Sequence, residues 1–595
     1  VQEADAVFIF GEDLTNTAPM LDLTVRTWLR LRPTAQEGRV HIRRWNDAAI
    51  GRAKRREPSA LWIAAPHAGK LDELAAEAWH AAPDDIARLA LALAHEVDPA
   101  SPAATDLGGA ESERVTRWAE ALRASRRPVI IGGVSGGSRT LLRAAAHLAR
   151  VLSERAGDAA AAGWSGPARL ILTVPEPNSV GLRMMGGGRL PQAIAAVARG
   201  EADTVVILDN DLYRRTASLL VDDLFRREPD VLALAPLEDR VTAQAGVVLP
   251  SATVAESTGT FVNNEGRAQR FFSVLAPTSE TREAWRWLRD LMGRLDRQEA
   301  RGWRDVDDVI AALEHELPQF RGVAAAAPGA SWRLAGSEIA RQPRRFSGRT
   351  AMDADASVHE PAPDVDEDSA LAYSLEGVGP DQAPAALLPR TWSPGWDSAS
   401  GLHKLQEEVN GPLRNGPVGE RLLDGGMAGG AGAGAGLPAP SAPPAFAARP
   451  DEFLLLPLHH IYGSDDRSMY TPGVLERAPA PYIALCQADA DRLELAAGDW
   501  LELWQPWMDV RAPFRLLPSL PEGVAGVPTG LPGTPFVSLP GRGRLARCDA
   551  PPSQESAGLA PGRDPADYAP SSGAAWAPAG ATWRPDDTPD AEAKP

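Results

Sequence analysis

The sequence predicts an α/β fold, in which a doubly wound parallel sheet is followed by a smaller β-rich domain. Through about the first 250 residues, short apolar runs alternate with amphipathic stretches, which favours strand–helix units. Each run is apolar on both faces and is bounded by Gly, Pro or Asp, which is typical of buried parallel strands. Beyond residue 450 the apolar runs are short and closely spaced, which predicts a small barrel.

The elements of the first region follow one another in regular order. The predicted strands are Ala6–Phe10, Leu61–Ala65, Pro128–Gly132, Arg169–Thr173, Thr204–Leu208 and Val231–Ala235. The helices predicted between them are Pro19–Arg32, Leu71–Trp79, Pro83–Glu96, Glu111–Ser125, Arg139–Glu154 and Pro191–Arg199. Three of these helices carry a proline in the first turn, where the missing N–H costs nothing.

The pattern changes after about Leu237. Two strands of a different layer, Val247–Pro250 and Thr260–Val262, are predicted to precede the helices Arg282–Leu295 and Asp305–Glu316. Residues 425–444 contain no charge and predict a flexible linker. The predicted barrel strands are Phe453–Pro457, Tyr482–Leu485, Trp500–Trp504 and Val510–Leu516.

These observations divide the chain into five regions, and we find no internal repeat in the sequence. Residues 1–240 form the α/β domain and residues 241–350 a segment that returns to it. Residues 351–450 are irregular and include the linker, residues 451–545 form the barrel, and residues 546–595 are predicted to be a disordered tail rich in Pro, Ala, Gly and Asp.

Charge and cysteine content exclude several classes of protein. The 61 basic and 79 acidic residues give a net charge of −18, which disfavours nucleic acid as a partner. With only two cysteines, Cys486 and Cys548, the chain cannot build a disulfide framework, a cysteine zinc site or an iron–sulfur cluster held by four thiolates. No apolar run reaches the roughly 18 residues of a membrane span. The chain opens almost directly on a strand, so we expect Val1 to be an internal point of a longer protein.

Acidic residues and glycines follow several predicted strands. Gly11-Glu12-Asp13 and Asp209-Asn210-Asp211 stand where doubly wound sheets bind ligands, so they could hold a ribose or a cation. The alternative, which we favour, is that they cap helices and face solvent, with Thr15 or Asn16 capping the first helix. Gly132–Ser138 could cradle a phosphate, but its spacing fits neither known fingerprint, and a tight turn with close helix packing is favoured.

Residues 255–270 are the most informative stretch. Polar residues are packed densely there beside phenylalanines, and they favour equally a ligand pocket and a self-satisfied hydrogen-bond network.

His459 and His460 are adjacent, so on a strand they point to opposite faces and do not bind one metal; a solvated loop with Asp465 and Asp466 is favoured. Cys486 is predicted to be a buried small hydrophobic residue.

Several strings make the chain similar to a known family. It resembles the G subunit of bacterial NADH:quinone oxidoreductase, respiratory complex I, over about residues 4–540. The strings are Gly11–Pro19, Asn178–Leu182, Met185–Gly188, Glu256–Phe272, Ser347–Met352, Ser357–Pro361, Trp392–Trp396, Gly463–Asp465 and Pro481–Ile483.

The resemblance implies a molybdopterin oxidoreductase-like α/β region and a C-terminal double-psi β-barrel. It implies that Asn263, Asn264, Glu265, Gly266 and Arg267 occupy a relic of the pterin-site motif, with neither molybdenum nor another metal bound by this chain and no catalytic residue of its own. The complete subunit would carry 4Fe-4S and 2Fe-2S clusters and pass electrons from the NADH-oxidising flavin towards quinone. The cluster cysteines of that family are absent here.

The resemblance therefore implies a scaffold segment of an enzyme subunit. Its partners would be the other hydrophilic-arm subunits, including the flavin-bearing one, on the cytoplasmic face of the inner membrane. Two alternatives remain open. One is the remnant of an active molybdopterin oxidoreductase, such as a formate dehydrogenase. The other is a free nucleotide-binding α/β protein that uses Gly132–Ser138.

Overall fold

The structure is a computed structural model of the full chain. It describes residues 1, 3–32, 50, 59–158, 168–277, 280–327, 329, 419–423 and 439–550, apart from 465–467, 506–507, 532–533 and 535. Several features singled out in the sequence lie outside these residues: Ser347–Met352, Ser357–Pro361, Trp392–Trp396, Asp465, Asp466, most of the linker and most of the predicted tail 546–595.

The first α/β unit is built on five parallel strands in the spatial order β3-β2-β1-β4-β5. They are β1 (Ala6–Phe10), β2 (Leu61–Ala65), β3 (Glu77–His80), β4 (Pro128–Gly133) and β5 (Arg169–Thr173). Its helices are α1 (Leu14–Thr17), α2 (Pro19–Leu31), α3 (Pro83–Val97), α4 (Gly109–Ala124) and α5 (Arg139–Asp158). The central strand β1 is buried along its whole length, as its unbroken apolar sequence predicts.

The two faces of this sheet have separate cores. On one face, Phe8 and Phe10 pack against Trp118 of α4 and against the alanine-rich helix α3. On the other face, Val7 and Ile9 lie in a core with residues of α2. Helices therefore cover both faces, and the prediction of a doubly wound sheet is confirmed for this unit.

One predicted helix of this unit is wrong. The sequence predicts a helix over residues 71–79, but only Asp72–Leu74 form a 3-10 turn, and the strand β3 begins at Glu77. The strand is held by parallel pairing with β2, in register Trp62 with Glu77 and Ala64 with Trp79. Tertiary pairing has overridden the helical preference of an Ala- and Glu-rich sequence.

A second, smaller parallel sheet has the order β6-β7-β8. Its strands are β6 (Thr204–Leu208), β7 (Asp230–Ala235) and β8 (Val247–Pro250). The helices α6 (Ser179–Met185) and α7 (Leu190–Ala198) precede β6 in the sequence, and α8 (Ser218–Arg226) lies between β6 and β7. The prediction that Val247–Pro250 belongs to a different layer is wrong, because β8 pairs with β7 in register Leu232 with Val247. The parallel strands of residues 1–250 thus form two sheets, where the sequence predicted one.

The two sheets also contain the same order of elements, which corrects the conclusion that the chain has no repeat. Among the described residues, and apart from the helical Ile50 of the first unit, each unit has a strand, a short helical turn, a longer helix, a strand, a 3-10 turn and a third strand in this order, over residues 6–80 and again over residues 204–250. Within them, residues 61–80 and 231–250 have the same secondary structure position by position. The sequences differ enough that residue patterns alone concealed the repeat.

A small antiparallel sheet with the order β11-β10-β9 follows. It consists of β9 (Gly259–Val262), β10 (Arg267–Phe271) and β11 (Glu420–Arg421), and the helices α9 (Ala284–Arg294) and α10 (Val306–Glu316) lie between the last two strands in sequence. The side chains of Val262, Ala268, Ile310 and Phe320 form its core.

The C-terminal region is a closed six-stranded barrel, with the order β12-β16-β13-β15-β14-β17. Its strands are β12 (Phe453–Leu458), β13 (Ile483–Leu485), β14 (Trp500–Gln505), β15 (Met508–Leu516), β16 (Val524–Pro528) and β17 (Gly541–Cys548), and the short helices α11 (Pro472–Leu475) and α12 (Gln487–Arg492) flank β13. The prediction of a barrel is confirmed; β17 continues past residue 545, after which the tail was predicted to start. Among the residues that the structure describes, no helix is long and apolar enough to cross a membrane.

Candidate functional site

The candidate site lies at the carboxyl ends of β1 and β4, beneath the barrel. Glu12 follows β1 closely and is 2% exposed. Its carboxylate accepts hydrogen bonds from the Ser135 amide at 3.1 Å, from the Thr17 hydroxyl at 3.1 Å and from the Ser135 hydroxyl. Burial raises the pKa of Glu12 above its ordinary value, although these hydrogen bonds oppose the rise.

The loop Gly132–Ser138 surrounds this carboxylate. An alanine Cβ at Gly133 would overlap Thr173 Oγ1 and the Glu12 carboxylate, so only glycine fits there. Since the Ser135 amide already donates to Glu12, it is not free to donate to a phosphate oxygen, and the loop is poorly suited to phosphate. Its geometry favours the tight-turn interpretation of this motif over the nucleotide-binding one.

Two cavities border the site. One of about 10 Å³ is lined in part by Glu12 and Asp13. The other, of about 40 Å³, is lined by Asn16, Thr17, Ser135, Thr173, Val174, Pro175, His459 and Ser464. Pockets for cofactors and drug-sized ligands measure about 300–1,000 Å³. The larger cavity has room for a water molecule or two. The residues at this site therefore do not fit a pterin cofactor.

The segment Asn263–Arg267 is the turn between β9 and β10, and it lines neither cavity. The Asn263 side chain accepts from the amides of Glu265 and Arg267 at 2.9 and 3.0 Å, and Arg267 donates to Glu265 at 3.3 Å. Asn264 donates to the Leu172 carbonyl of β5 at 3.0 Å. Gly266 has a φ of +71°, where an added Cβ would overlap Leu423. These side chains hold the turn and fix it to β5.

The acidic residues after the strands differ from one another. Asp211 caps the following 3-10 turn by accepting from the Tyr213 amide at 3.0 Å, which supports the capping interpretation there. Glu12 neither caps a helix nor faces solvent. The prediction that Thr15 or Asn16 caps a helix is wrong, because the position before α1 is Asp13, whose side chain makes no capping bond.

The paired histidines lie just after β12, and the first of them, His459, contacts the α/β unit. His459 Nε2 donates to the Ser135 carbonyl at 3.3 Å, whereas His460 Nε2 lies 2.9 Å from the Tyr482 hydroxyl. The two rings thus have different partners, as expected for adjacent residues whose side chains point to opposite faces. The solvated loop is wrong for His459, because its ring is only partly exposed and bonds the Ser135 carbonyl; this burial also lowers the pKa of His459. Over the described parts of the chain, no three His, Cys, Asp or Glu side chains are arranged to hold a metal ion.

Sequence reasoning singled out Glu12 but missed its partners Thr17 and Thr173. No signal in the sequence brings Thr173, at the end of β5, to a carboxylate at the end of β1. The sequence argued against His459 and His460 binding one metal. It did not predict the contact between His459 and Ser135, because that contact depends on how the barrel docks. Cys486 is buried, as predicted, and its thiol lies 3.2 Å from Asp489.

Comparisons with known proteins place this geometry in context. Residues 1–294 match the family model of the molybdopterin oxidoreductases. The chain is 39% identical over 541 residues to the G subunit of the NADH-quinone oxidoreductase of Pseudomonas fluorescens, and 35% identical over 538 residues to that of Salmonella typhimurium. Each alignment covers 90% of this chain and 58% of the relative.

The chain is a homologue of the NADH-quinone oxidoreductase G subunits. It spans somewhat more than half the length of the curated relatives that it matches. Among solved structures, acetylene hydratase from Pelobacter acetylenicus aligns with 89% of this chain and 71% of its own, at 13% identity and a TM-score of 0.42.

Gly133→Ala is expected to destabilise this G-subunit homologue by about 1–3 kcal/mol, because the new methyl group would overlap Thr173 and Glu12. Urea unfolding measures the change. Gly136→Ala is the matched control in the same loop, since the nearest atom to its added Cβ would be the Gly11 carbonyl oxygen at 3.7 Å. Equal destabilisation by both substitutions would contradict the packing argument.

Glu12→Gln is expected to remove a pH-dependent part of the homologue's stability. Because the folded-state pKa of Glu12 is raised, the folded protein keeps a proton that the unfolded chain has already released. The stability of the unchanged protein therefore falls as pH rises from the ordinary pKa of a glutamate to the raised one, and the variant lacks this fall.

Unfolding midpoints in urea, measured from about pH 4 to about pH 8, test this linkage. Exposed Glu120→Gln is the matched control and is expected to keep the pH profile of the unchanged protein. If Glu12→Gln also keeps that profile, Glu12 has no raised pKa.

Proposed function

We propose that this chain is the scaffold part of the G subunit in the peripheral arm of NADH-quinone oxidoreductase. Its homology to G subunits over 90% of its length carries the proposal. The complete subunit takes electrons from the NADH-oxidising flavin of a partner subunit and passes them through 4Fe-4S and 2Fe-2S clusters towards quinone, on the cytoplasmic face of the inner membrane. In this proposal the scaffold keeps the five regions predicted from the sequence, with the end of the first region moved from residue 240 to Pro250, because β8 pairs with β7.

In this proposal, residues 1–595 bind no cofactor. The Glu12 carboxylate inside the Gly132–Ser138 loop and the small volume of the neighbouring cavities support this role. The hydrogen bonds within Asn263–Arg267 support the view that this motif is a relic of a pterin site. The parallel pairs β12–β16 and β13–β15 support a double-psi arrangement of the barrel.

The partners of this scaffold are the other hydrophilic-arm subunits, including the flavin-bearing one. The chain contains 17 tryptophans, a residue enriched at the buried centres of protein interfaces. Pull-down of those subunits by the full-length G subunit, with and without residues 1–595, tests the docking role. Unchanged capture without this segment would contradict it.

Elemental analysis of the purified chain tests the cofactor-free role and separates it from the alternative of a molybdopterin oxidoreductase remnant. We expect iron and molybdenum far below one atom per chain. Stoichiometric molybdenum would favour the remnant, and stoichiometric iron would contradict both the scaffold role and the exclusion of clusters from the cysteine count.

A further inference from the structure

Glu12 is a buried acid without a basic partner. Its hydrogen-bond partners among the described residues are Thr17, Ser135 and Thr173, and none of them carries a charge. A carboxyl group that is buried without a cation binds a proton in preference to staying ionised. Glu12 is therefore expected to be protonated inside the folded protein, and its hydrogen bonds indicate which oxygen carries the proton.

The two carboxyl oxygens of Glu12 have different neighbours. Oε1 lies 3.1 Å from the nitrogen of the Ser135 amide, which can only donate, so Oε1 is an acceptor. Oε2 lies 3.1 Å from the Thr17 hydroxyl oxygen and also bonds the Ser135 hydroxyl. Because a hydroxyl group can either donate or accept, the proton is best placed on Oε2, where two hydroxyl oxygens can accept it.

Thr17 has a second acceptor within reach. Its hydroxyl oxygen lies 3.0 Å from the Asp13 carbonyl oxygen as well as 3.1 Å from Glu12 Oε2. The hydroxyl carries one hydrogen, so it can donate to only one of these two oxygens at a time. When Thr17 donates to Asp13, its oxygen is free to accept the proton of Glu12. A hydroxyl group that can switch between these two arrangements can pass a proton on.

The larger cavity reaches the same hydroxyl groups. Thr17, Ser135 and Thr173, the three partners of Glu12, all line it, and three of its other five lining residues are also polar. Its volume of about 40 Å³ exceeds the roughly 10–15 Å³ that one water molecule needs. Empty cavities in proteins are apolar, so a polar cavity of this size is expected to hold water.

We propose that this cavity is a water-binding site, and that its water exchanges protons with Glu12 Oε2 through the hydroxyl groups of Thr17 and Ser135. When an ionised Glu12 takes up a proton, a hydronium ion in the cavity gives one proton to a hydroxyl oxygen. That hydroxyl group gives its own hydrogen to Oε2, so water, an intact hydroxyl and a neutral carboxyl group remain. Release of the proton reverses these steps. The inference concerns Glu12 alone and does not depend on the scaffold role.

A high-resolution crystal structure of the purified chain tests the water site. We expect an ordered water molecule in the cavity, within hydrogen-bonding distance of the hydroxyl oxygen of Thr17 or Ser135. A cavity without ordered density there, or one filled by a protein side chain, would overturn the proposal.

Infrared spectroscopy in D₂O tests the proton relay. At about pH 6, ordinary Asp and Glu side chains are ionised, so the carboxylic-acid band that Glu12→Gln removes belongs to Glu12. We expect its isotope shift on transfer to D₂O to be at least about 10-fold slower in the double variant Thr17→Val/Ser135→Ala, because exchange then requires local opening. Glu12 stays protonated in that variant, since the lost hydrogen bonds opposed the rise of its pKa.

The double variant Thr24→Val/Ser153→Ala is the matched control. The hydroxyl groups of Thr24 and Ser153 bond the carbonyls of Met20 and Ala149 within their own helices, so the control should exchange as fast as the unchanged protein. Equal exchange rates in the unchanged protein and in Thr17→Val/Ser135→Ala would overturn the relay. If Glu12→Gln removes no carboxylic-acid band, Glu12 is ionised and the proposal is wrong, whether or not the double variant folds.

Discussion

Phe8→Ala is expected to destabilise the protein by about 3–5 kcal/mol, among the largest effects of any single substitution in this fold. Phe8 is fully buried at the centre of the five-stranded sheet. Its ring stacks on Trp62 with a centroid distance of 4.7 Å and an interplanar angle of 8°, and its centroid lies 6.0 Å from that of Trp118. Truncation removes these contacts and leaves a cavity between β1 and α4.

Urea unfolding followed by tryptophan fluorescence measures this loss. Phe272→Ala is the matched control, because Phe272 is 47% exposed and its loss leaves no enclosed cavity. The control is expected to change stability by less than about 1 kcal/mol. A Phe8 variant as stable as the control would show that this core does not hold the α/β unit together.

Asp489→Ala is expected to destabilise the barrel by about 1–3 kcal/mol, because it removes the acceptor of a buried backbone amide. Asp489 is fully buried in α12 and accepts from the Gly523 amide at 2.7 Å. Arg492, one turn later, donates to its other oxygen. Alanine would leave the Gly523 amide without its acceptor and the guanidinium without its carboxylate.

Asp491→Ala is the matched control for this second substitution. Asp491 is exposed on the same helix, and its side chain bonds the side-chain amide of Gln487. We expect its loss to cost no more than about 0.5 kcal/mol. Similar unfolding midpoints for the two variants would mean that the Asp489 contacts do not stabilise the barrel.

Apolar runs predicted the strands well, although β5, β6 and β8 are partly exposed and only β1 is buried along its whole length. Strands β1, β2, β5, β6 and β8 have the predicted bounds. Elements whose identity depends on a neighbour were harder to predict. Strand β3 has the composition of a helix and exists because it pairs with β2, and the assignment of β8 to its sheet is a matter of pairing alone.

The candidate site was predictable only in part. The sequence predicted that Glu12 follows the end of a strand, where ligands bind in such sheets. It did not predict that the Gly132–Ser138 loop encloses the Glu12 carboxylate. That enclosure arises because β1 and β4 are adjacent, which brings Ser135 to Glu12 from 123 positions along the chain. The repeat was missed because its two copies share an order of elements and little sequence.

Strand β11 has a consequence for biosynthesis. It pairs with β10 through Ala268 and Glu420, so everything between these two residues must be translated before the contact can form. At about 5–20 residues per second, the outer edge of β10 waits roughly 10–30 s on the ribosome. Throughout that interval its N–H and C=O groups are open to incorrect partners, so a nascent chain stalled before residue 420 is expected to be prone to aggregation.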